Sequence, residues 1–284
     1  MADPFPRLSA DPLAAGSRIA CRVEYNGARY NGWQSQPHLD VITVQQELEA
    51  ALSRVAGQAL RVHCAGRTDT GVHGHCQVVH FEAPVSRAPK AWVLGANAEM
   101  AEDVRLHWAV PVPEEFHARF TATARRYRYV IANTLVRPAM LGGQVSWHRF
   151  PLDAARMNRA AQSLLGEQDF SAFRAAACQS STAMRNVHSV SVSRHGDLVV
   201  LDIQANAFLY HMVRNIAGSL LAIGSDRKPE QWIAQLLAGG DRTLAAATAP
   251  PHGLYLVDVL YPPQYGFPAT PYGPMILGQG KGPA

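Results

Sequence analysis

One order of hydrophobic periodicities occurs twice in this chain, and it restricts the fold more than any other feature. In the first copy Ile19, Cys21, Val23 and Tyr25 alternate with Ala20, Arg22 and Glu24, which predicts a half-buried strand closed by the turn pair Asn26-Gly27. Thr43 with Gln46 forms a capping box, and Val44, Leu48, Ala51, Leu52 and Val55 behind it are spaced as one face of a helix. Leu60, Val62 and Cys64 alternate again, a Gly-rich turn follows, and Gln77, Val79 and Phe81 define the next strand. Pro89 opens a short helix, and Val104, Leu106, Trp108 and Val110 close the set as a strand. The order is β-α-β-β-α-β.

The second copy starts with Tyr127, Tyr129 and Ile131 on one strand face. Asp153 caps a helix carrying Met157, Ala161, Leu164 and Leu165 that stops at Gly166. Strands through Val190 and Val192, then through Val199, Leu201 and Ile203, come next. Leu209, Met212, Val213, Ile216, Leu220 and Ile223 predict a helix from Phe208 to Ile223, Pro229 starts another, and Leu254 to Tyr261 reads as the last strand. Two such sets predict an α+β fold of two ferredoxin-like (RRM-like) halves. Each half is an antiparallel sheet with helices on one face and the other face free for a ligand, with a cleft between the halves. The expected division is an N-terminal arm at 1–16, halves at 17–112 and 113–262, and a tail at 263–284. That tail holds five of the 19 prolines and five of the 22 glycines, a composition that drapes over a surface or stays mobile.

A chain of 284 residues buries such a core without disulfide staples. Its four cysteines, Cys21, Cys64, Cys76 and Cys178, are scattered with no Cys-x-x-Cys pair, which fits reduced thiols and no zinc ribbon. No apolar run approaches the roughly 20 residues of a membrane span, and the first residues lack the basic start and apolar middle of a signal peptide. The expectation is a cytoplasmic protein without a membrane partner. Net charge is +4, but 23 of the 26 basic residues are Arg, a skew that favours bidentate phosphate contacts. An Arg- and Ala-rich genomic composition explains the same skew more simply.

The stretch Cys64-Ala65-Gly66-Arg67-Thr68-Asp69-Thr70-Gly71-Val72-His73-Gly74-His75 lies between two predicted strands. A plain hairpin needs two to five loop residues, whereas this one uses about ten small, polar and cationic ones. Three glycines let the backbone turn tightly around the single carboxylate of Asp69, with Arg67 just before it and hydroxyls on both sides. An Asx-type turn at Asp69 is the plain structural alternative. His63, Cys64, His73, His75, Cys76 and His80 cluster in the same region, but their spacing matches no common zinc pattern. The expectation is therefore no metal, with the histidines serving as hydrogen-bond partners or RNA contacts.

Phe116-His117-Ala118-Arg119-Phe120 and Arg125-Arg126-Tyr127-Arg128-Tyr129 interleave arginines with aromatics, the residue types that phosphate contact and base stacking require. An edge strand with outward arginines and buried tyrosines fits the same composition. On the helix expected from Phe208, Arg214 lies roughly 140° from the stripe centred on Leu209 and Leu220, away from that helix's own core.

Together these residues resemble a known family. Tyr25-Asn26-Gly27 with Gly32-Trp33-Gln34-Ser35-Gln36, the run Gly66 to His73, Phe116-His117-Ala118-Arg119, Tyr127-Arg128-Tyr129, Phe208-Leu209 with His211-Met212-Val213-Arg214-Asn215, and Gly253-Leu254 are similar to the tRNA pseudouridine synthase A (TruA) family. The Gly-Arg-Thr-Asp and Gly-Val-His pieces are its specific signature; Met100-Ala101 stands where the family often has Leu-Pro.

The resemblance implies an isomerase that converts uridine to pseudouridine at positions 38, 39 and 40 of the tRNA anticodon arm, as a homodimer without cofactor or metal. It makes Asp69 the covalent nucleophile and Tyr127 the ring that stacks on a flipped uracil. Arg214 becomes the cation paired with Asp69, and Arg67 assists it and holds the flipped nucleotide. The chemistry suits one carboxylate: the N1–C1′ bond breaks, the base turns, and C5 bonds C1′, with nothing oxidised and no group gained. Attack at C1′, attack at C6 and elimination to a glycal are all open to it. The alternative reading is a non-catalytic RNA-binding protein of two RRM-like halves. A metal-dependent nuclease needs at least two converging acidic residues, and the loop supplies one.

Overall fold

A computed structural model describes residues 8–36, 38–270 and 273–277; the rest of the expected arm (1–7) and of the expected tail (271–272 and 278–284) lies outside the described residues. Strands β1 (Arg18–Tyr25), β2 (His63–Cys64), β3 (His73–Glu82) and β4 (Val104–Val112) are joined through helices α1 (Val44–Ala56) and α2 (Pro89–Glu99). Then follow β5 (Ala124–Ala132), β6 (Ser146–Trp147), α3 (Ala154–Ala161), β7 (Gly166–Asp169), β8 (Met184–His195) and β9 (Leu198–Ala205). Helices α4 (Met212–Gly224) and α5 (Trp232–Gly239) and strand β10 (Leu254–Leu260) complete the set. This is the α+β class that the periodicities predict. The chain forms two compact units, one drawn from Met1–Thr123 and Leu256–Ala284, the other Ala124–Tyr255.

In unit 1 the strand order is β4-β1-β3-β10, with β2 beside β3. Ile19 faces Phe81 and Cys21 faces Val79 across an antiparallel pair, which sets one apolar face. Helix α1 starts where the Thr43 hydroxyl accepts the Gln46 N–H, as the capping box predicts, and stops at Gly57 in the left-handed region. Leu48, Leu52, Trp92 and Val93 of the two helices bury against Ile19, Cys21, Val23, Val79 and Phe81. Each such side chain contributes about 1.5–3 kcal/mol of transfer free energy.

The opposite face of this sheet is not free, contrary to expectation. Trp108 lies opposite Arg22 on the face away from the helices, and Phe267 stacks on it at 5.2 Å. Phe116, Tyr261 and Tyr265 pack around the same Phe267 ring. The physical reason is plain: a bare indole on a sheet is apolar surface, and the chain's own C-terminal segment covers it. Residues 8–16 are likewise tied down, since the Leu13 N–H donates to Arg87 O at 3.0 Å and the Lys90 N–H to Ser9 O at 3.0 Å.

In unit 2 the order is β5-β9-β8-β7, with the short β6 parallel to β5. Tyr127 faces Ile203 and Tyr129 faces Leu201 across β5 and β9. The Asp153 carboxylate accepts the Arg156 N–H at 2.9 Å and so caps α3. Met157, Leu164, Phe173, Ile216, Leu220 and Ile233 are buried in its core.

Several elements depart from the sequence reading, among them the helix expected to stop at Gly166, which ends at Ala161 ahead of a 3-10 turn over Gln162–Leu164, and the unexpected short β6. The helix expected from Phe208 begins at Met212, because His211 has φ +61° and a left-handed residue cannot continue a right-handed helix. The helix expected at Pro229 begins at Trp232, after a turn in which the Trp232 N–H bonds Pro229 O. The strand expected over Leu60 to Cys64 shrinks to its last two residues. Strand β7, Gly-Glu-Gln-Asp, shows no alternation because most of it is exposed.

Candidate active site

The loop that carries Asp69 joins β2 to β3, and neighbouring segments of unit 1 hold its backbone at several points. The Trp33 N–H donates to Thr68 O at 3.0 Å and the Gly71 N–H to Tyr30 O at 3.3 Å. At the entrance the Gly66 N–H donates to Gln77 Oε1 at 3.3 Å, while Gln77 Nε2 donates to Gly66 O at 2.5 Å. At the exit His73 Nδ1 accepts the Gly27 N–H at 3.1 Å.

Two glycines make this approach possible. A Cβ on Gly27 would stand 1.9 Å from Val72 O, and one on Gly32, whose φ is +81°, would stand 2.8 Å from Thr68 O. Asp69 is half-buried and Arg67 exposed. The result is one carboxylate on a backbone that has little freedom left to lose, which suits a nucleophile held in place before substrate arrives. Tyr30 and Gln77 escaped sequence reasoning. A buried glutamine in an apolar strand was the available signal.

The histidines near this loop act mostly as acceptors for backbone N–H groups. His80 Nδ1 accepts the Ala118 N–H at 3.1 Å, and His117 Nδ1 accepts that of Arg119 at 3.1 Å. No group of three or more His, Cys, Asp or Glu among the described residues is placed to hold a metal ion. Burial pushes the Cys64 thiol up to about 12, opposed by the nearby charges of Arg67 and Arg119.

Tyr127 and Arg214 belong to unit 2. Tyr127 is buried to 9% exposure and meets Phe208 edge to face at 5.1 Å. Its neighbours do not point outward as free arginines: Arg126 Nε and Arg128 Nε both donate to the Asp202 carboxylate, at 2.6 and 2.8 Å. Two cations expected for phosphate contact thus share one partly buried anion across the sheet. Sequence reasoning missed Asp202, whose partners lie 76 and 74 residues away.

Arg214 sits in the first turn of α4, half-buried, and its Nε donates to Ala249 O at 2.9 Å. The Ala249 N–H returns a bond to Arg214 O at 3.1 Å, and the Tyr129 hydroxyl donates to Pro250 O at 2.8 Å. Arg214 is therefore fixed at its stem rather than trailing in solvent. Of the four residues expected at the site, Arg67 and Asp69 share one loop of unit 1, and Tyr127 and Arg214 share unit 2.

The sequence model of tRNA pseudouridine synthases matches residues 22–121 and 160–262, stretches that contain the Asp69 loop and Arg214, with Tyr127 between them. The chain belongs to the tRNA pseudouridine synthase family. A Salmonella typhimurium protein named tRNA pseudouridine synthase A is 55% identical over 270 residues, 95% of this chain and 99% of its own length. A protein of the same name from an Enterobacter species is 57% identical over 270 residues, with 95% and 99% covered. One from Escherichia coli O1:K1 is 57% identical over 260 residues, with 92% and 96% covered. Among the described residues of this family member, no helix is long and apolar enough to cross a membrane.

Proposed function

We propose that this enzyme isomerises uridine to pseudouridine at positions 38, 39 and 40 of the tRNA anticodon arm, with Asp69 as nucleophile. The observation that carries the reading is the Gly66 to His73 loop, one carboxylate on a backbone bonded to Tyr30, Trp33 and Gln77, in a chain of the tRNA pseudouridine synthase family. The N1–C1′ bond of the target uridine breaks and a C5–C1′ bond forms. The proton on C5 leaves and N1 gains one, so mass and oxidation state are unchanged and no cofactor or metal is called for. Asp69 holds the sugar or base covalently while the uracil turns. Tyr127 stacks on the flipped base, Arg67 holds the nucleotide, and Arg214 is the cation that the family resemblance pairs with Asp69.

The enzyme works in the cytoplasm as a homodimer, because a chain of net charge +4 has few charges with which to hold a long polyanion alone. The test is to incubate unmodified tRNA with the protein, derivatise with carbodiimide, and map pseudouridine. Asp69→Asn should abolish conversion while shifting tRNA affinity less than about tenfold, since affinity comes from phosphate contacts spread over many arginines. Conversion by Asp69→Asn near the parent rate removes Asp69 from the chemistry. Tight tRNA binding without any conversion by the parent chain leaves the RNA-binding alternative.

A further inference from the structure

Unit 1 carries an exposed aromatic side chain that the fold works to hold outward. Phe120 is 75% exposed, yet its ring centroid lies 4.4 Å from that of His117, tilted by 34°. The His117 ring is 4.6 Å from His80 and 5.5 Å from His63, which themselves stack at 5.0 Å. A column of four rings thus runs from the sheet to the surface and ends in Phe120.

The loop beneath it is locked. His117 Nδ1 accepts the N–H groups of Arg119 at 3.1 Å and Phe120 at 3.4 Å, the His117 N–H donates to Thr121 Oγ1 at 2.9 Å, and His80 Nδ1 accepts the Ala118 N–H at 3.1 Å. A rigidly presented phenyl ring has an apolar face waiting for a partner. The charge beside it says which kind. The Arg119 guanidinium lies 5.6 Å from the Phe120 ring, and His63, a ring of the column, directly precedes Cys64. Cys64 ends β2 at the entrance of the Asp69 loop, so the column and the loop are neighbours within one unit. An aromatic face flanked by cations is the composition of single-strand nucleic-acid sites, where a base stacks on the ring and its phosphate meets the cation.

We propose that Phe120, backed by His117 and flanked by Arg119, is a platform on which an unpaired base of the tRNA anticodon loop stacks while a nearby uridine occupies the Asp69 loop. The proposal rests on tRNA being the substrate. Phe120 is then a positioning residue, acting through the placement of the RNA.

The test uses the full-length protein, with tRNA carrying 2-aminopurine at one unpaired anticodon-loop position at a time. Phe120→Leu keeps apolar bulk and removes the π face; it should raise KM roughly tenfold, the lower part of the range for one stacked base, with a smaller effect on kcat. Phe120→Trp should restore KM. At one loop position the parent chain should quench 2-aminopurine fluorescence, and Phe120→Leu should not. Unchanged KM and quenching in Phe120→Leu overturn the platform, as does equal impairment of the Leu and Trp variants. Altered sedimentation of Phe120→Leu with unchanged tRNA affinity assigns the ring to contact with a second copy and also overturns it. A parent chain that neither binds nor isomerises tRNA overturns the function itself, whereas normal parent turnover with a neutral Phe120→Leu overturns the platform alone.

Discussion

The Tyr25 hydroxyl lies 2.8 Å from the Thr68 hydroxyl, so the residue immediately before Asp69 is bonded to the last residue of β1. Both are buried, Tyr25 at 2% and Thr68 at 7% exposure. Tyr25→Phe leaves the Thr68 hydroxyl without this partner and should lower stability by about 1–3 kcal/mol, with slower turnover. Adding Thr68→Val removes the stranded group, so the double variant should lose less stability than the sum of the single ones. Denaturant unfolding of the three variants checks this, and strict additivity contradicts it.

Gly32→Ala should cost more than Gly57→Ala. Both positions have positive φ, +81° and +71°, but a Cβ on Gly57 meets nothing within 4 Å whereas one on Gly32 meets the backbone of the Asp69 loop. Gly57→Ala then carries the left-handed penalty alone, about 1–2 kcal/mol. Gly32→Ala adds a steric cost of about 1–3 kcal/mol and shifts Thr68 and Thr70. Equal losses of stability, with full turnover in both, would show that the loop tolerates displacement.

Asp202→Ala should destabilise unit 2 by about 3–5 kcal/mol, because it leaves two largely buried guanidiniums facing each other without their anion. The side chains of Arg126, Arg128 and Asp202 are only 11%, 14% and 13% exposed. Tyr127 lies between the two arginines on β5, so turnover should fall as well. A loss below about 1 kcal/mol in chemical denaturation would place this trio with ordinary surface pairs.

Stability should decline as pH falls from about 6.5 toward 3. Burial, helped by nearby His117, His63 and Arg18, holds the His80 imidazole down at about 3, against an ordinary value of 6.5. Between those values the unfolded chain binds a proton that the folded chain refuses, so stability rises with pH across that window and levels off above it. His80→Asn keeps an acceptor for the Ala118 N–H and cannot titrate. Urea unfolding across this range should show a shallower slope for the variant than for the parent, and identical slopes contradict the assignment.

Much of the fold was legible because it rests on local spacing. The alternation over Ile19 to Tyr25 and the Thr43 cap are short-range statements, and strand β1 and helix α1 follow from them. The misreadings came from information that spacing does not hold. Nothing in the apolar repeat of Leu209 and Met212 announces that His211 turns left-handed between them. The Arg126 and Arg128 pattern suits phosphate contact until Asp202 arrives from a strand far along the chain. For the candidate site, the length and glycines of the Asp69 loop singled it out, but the frame of Tyr25, Tyr30 and Gln77 depends on contacts between distant segments.

Unit 1 is discontinuous in sequence, and this bears on how the protein is born. Its sheet includes β10, whose residues from Leu256 onward belong to unit 1 although all of unit 2 is encoded before them. A ribosome releasing the chain from its N-terminus therefore delivers every residue of unit 2 before the strand that completes the older half. The residues up to Thr123 must wait with part of one flank of β3 unpaired, beyond its short pairing with β2, and with Trp108 uncovered, the exposed state in which nascent sheets pair wrongly. The shielding of the first-made half is fixed by codons translated only after all of unit 2.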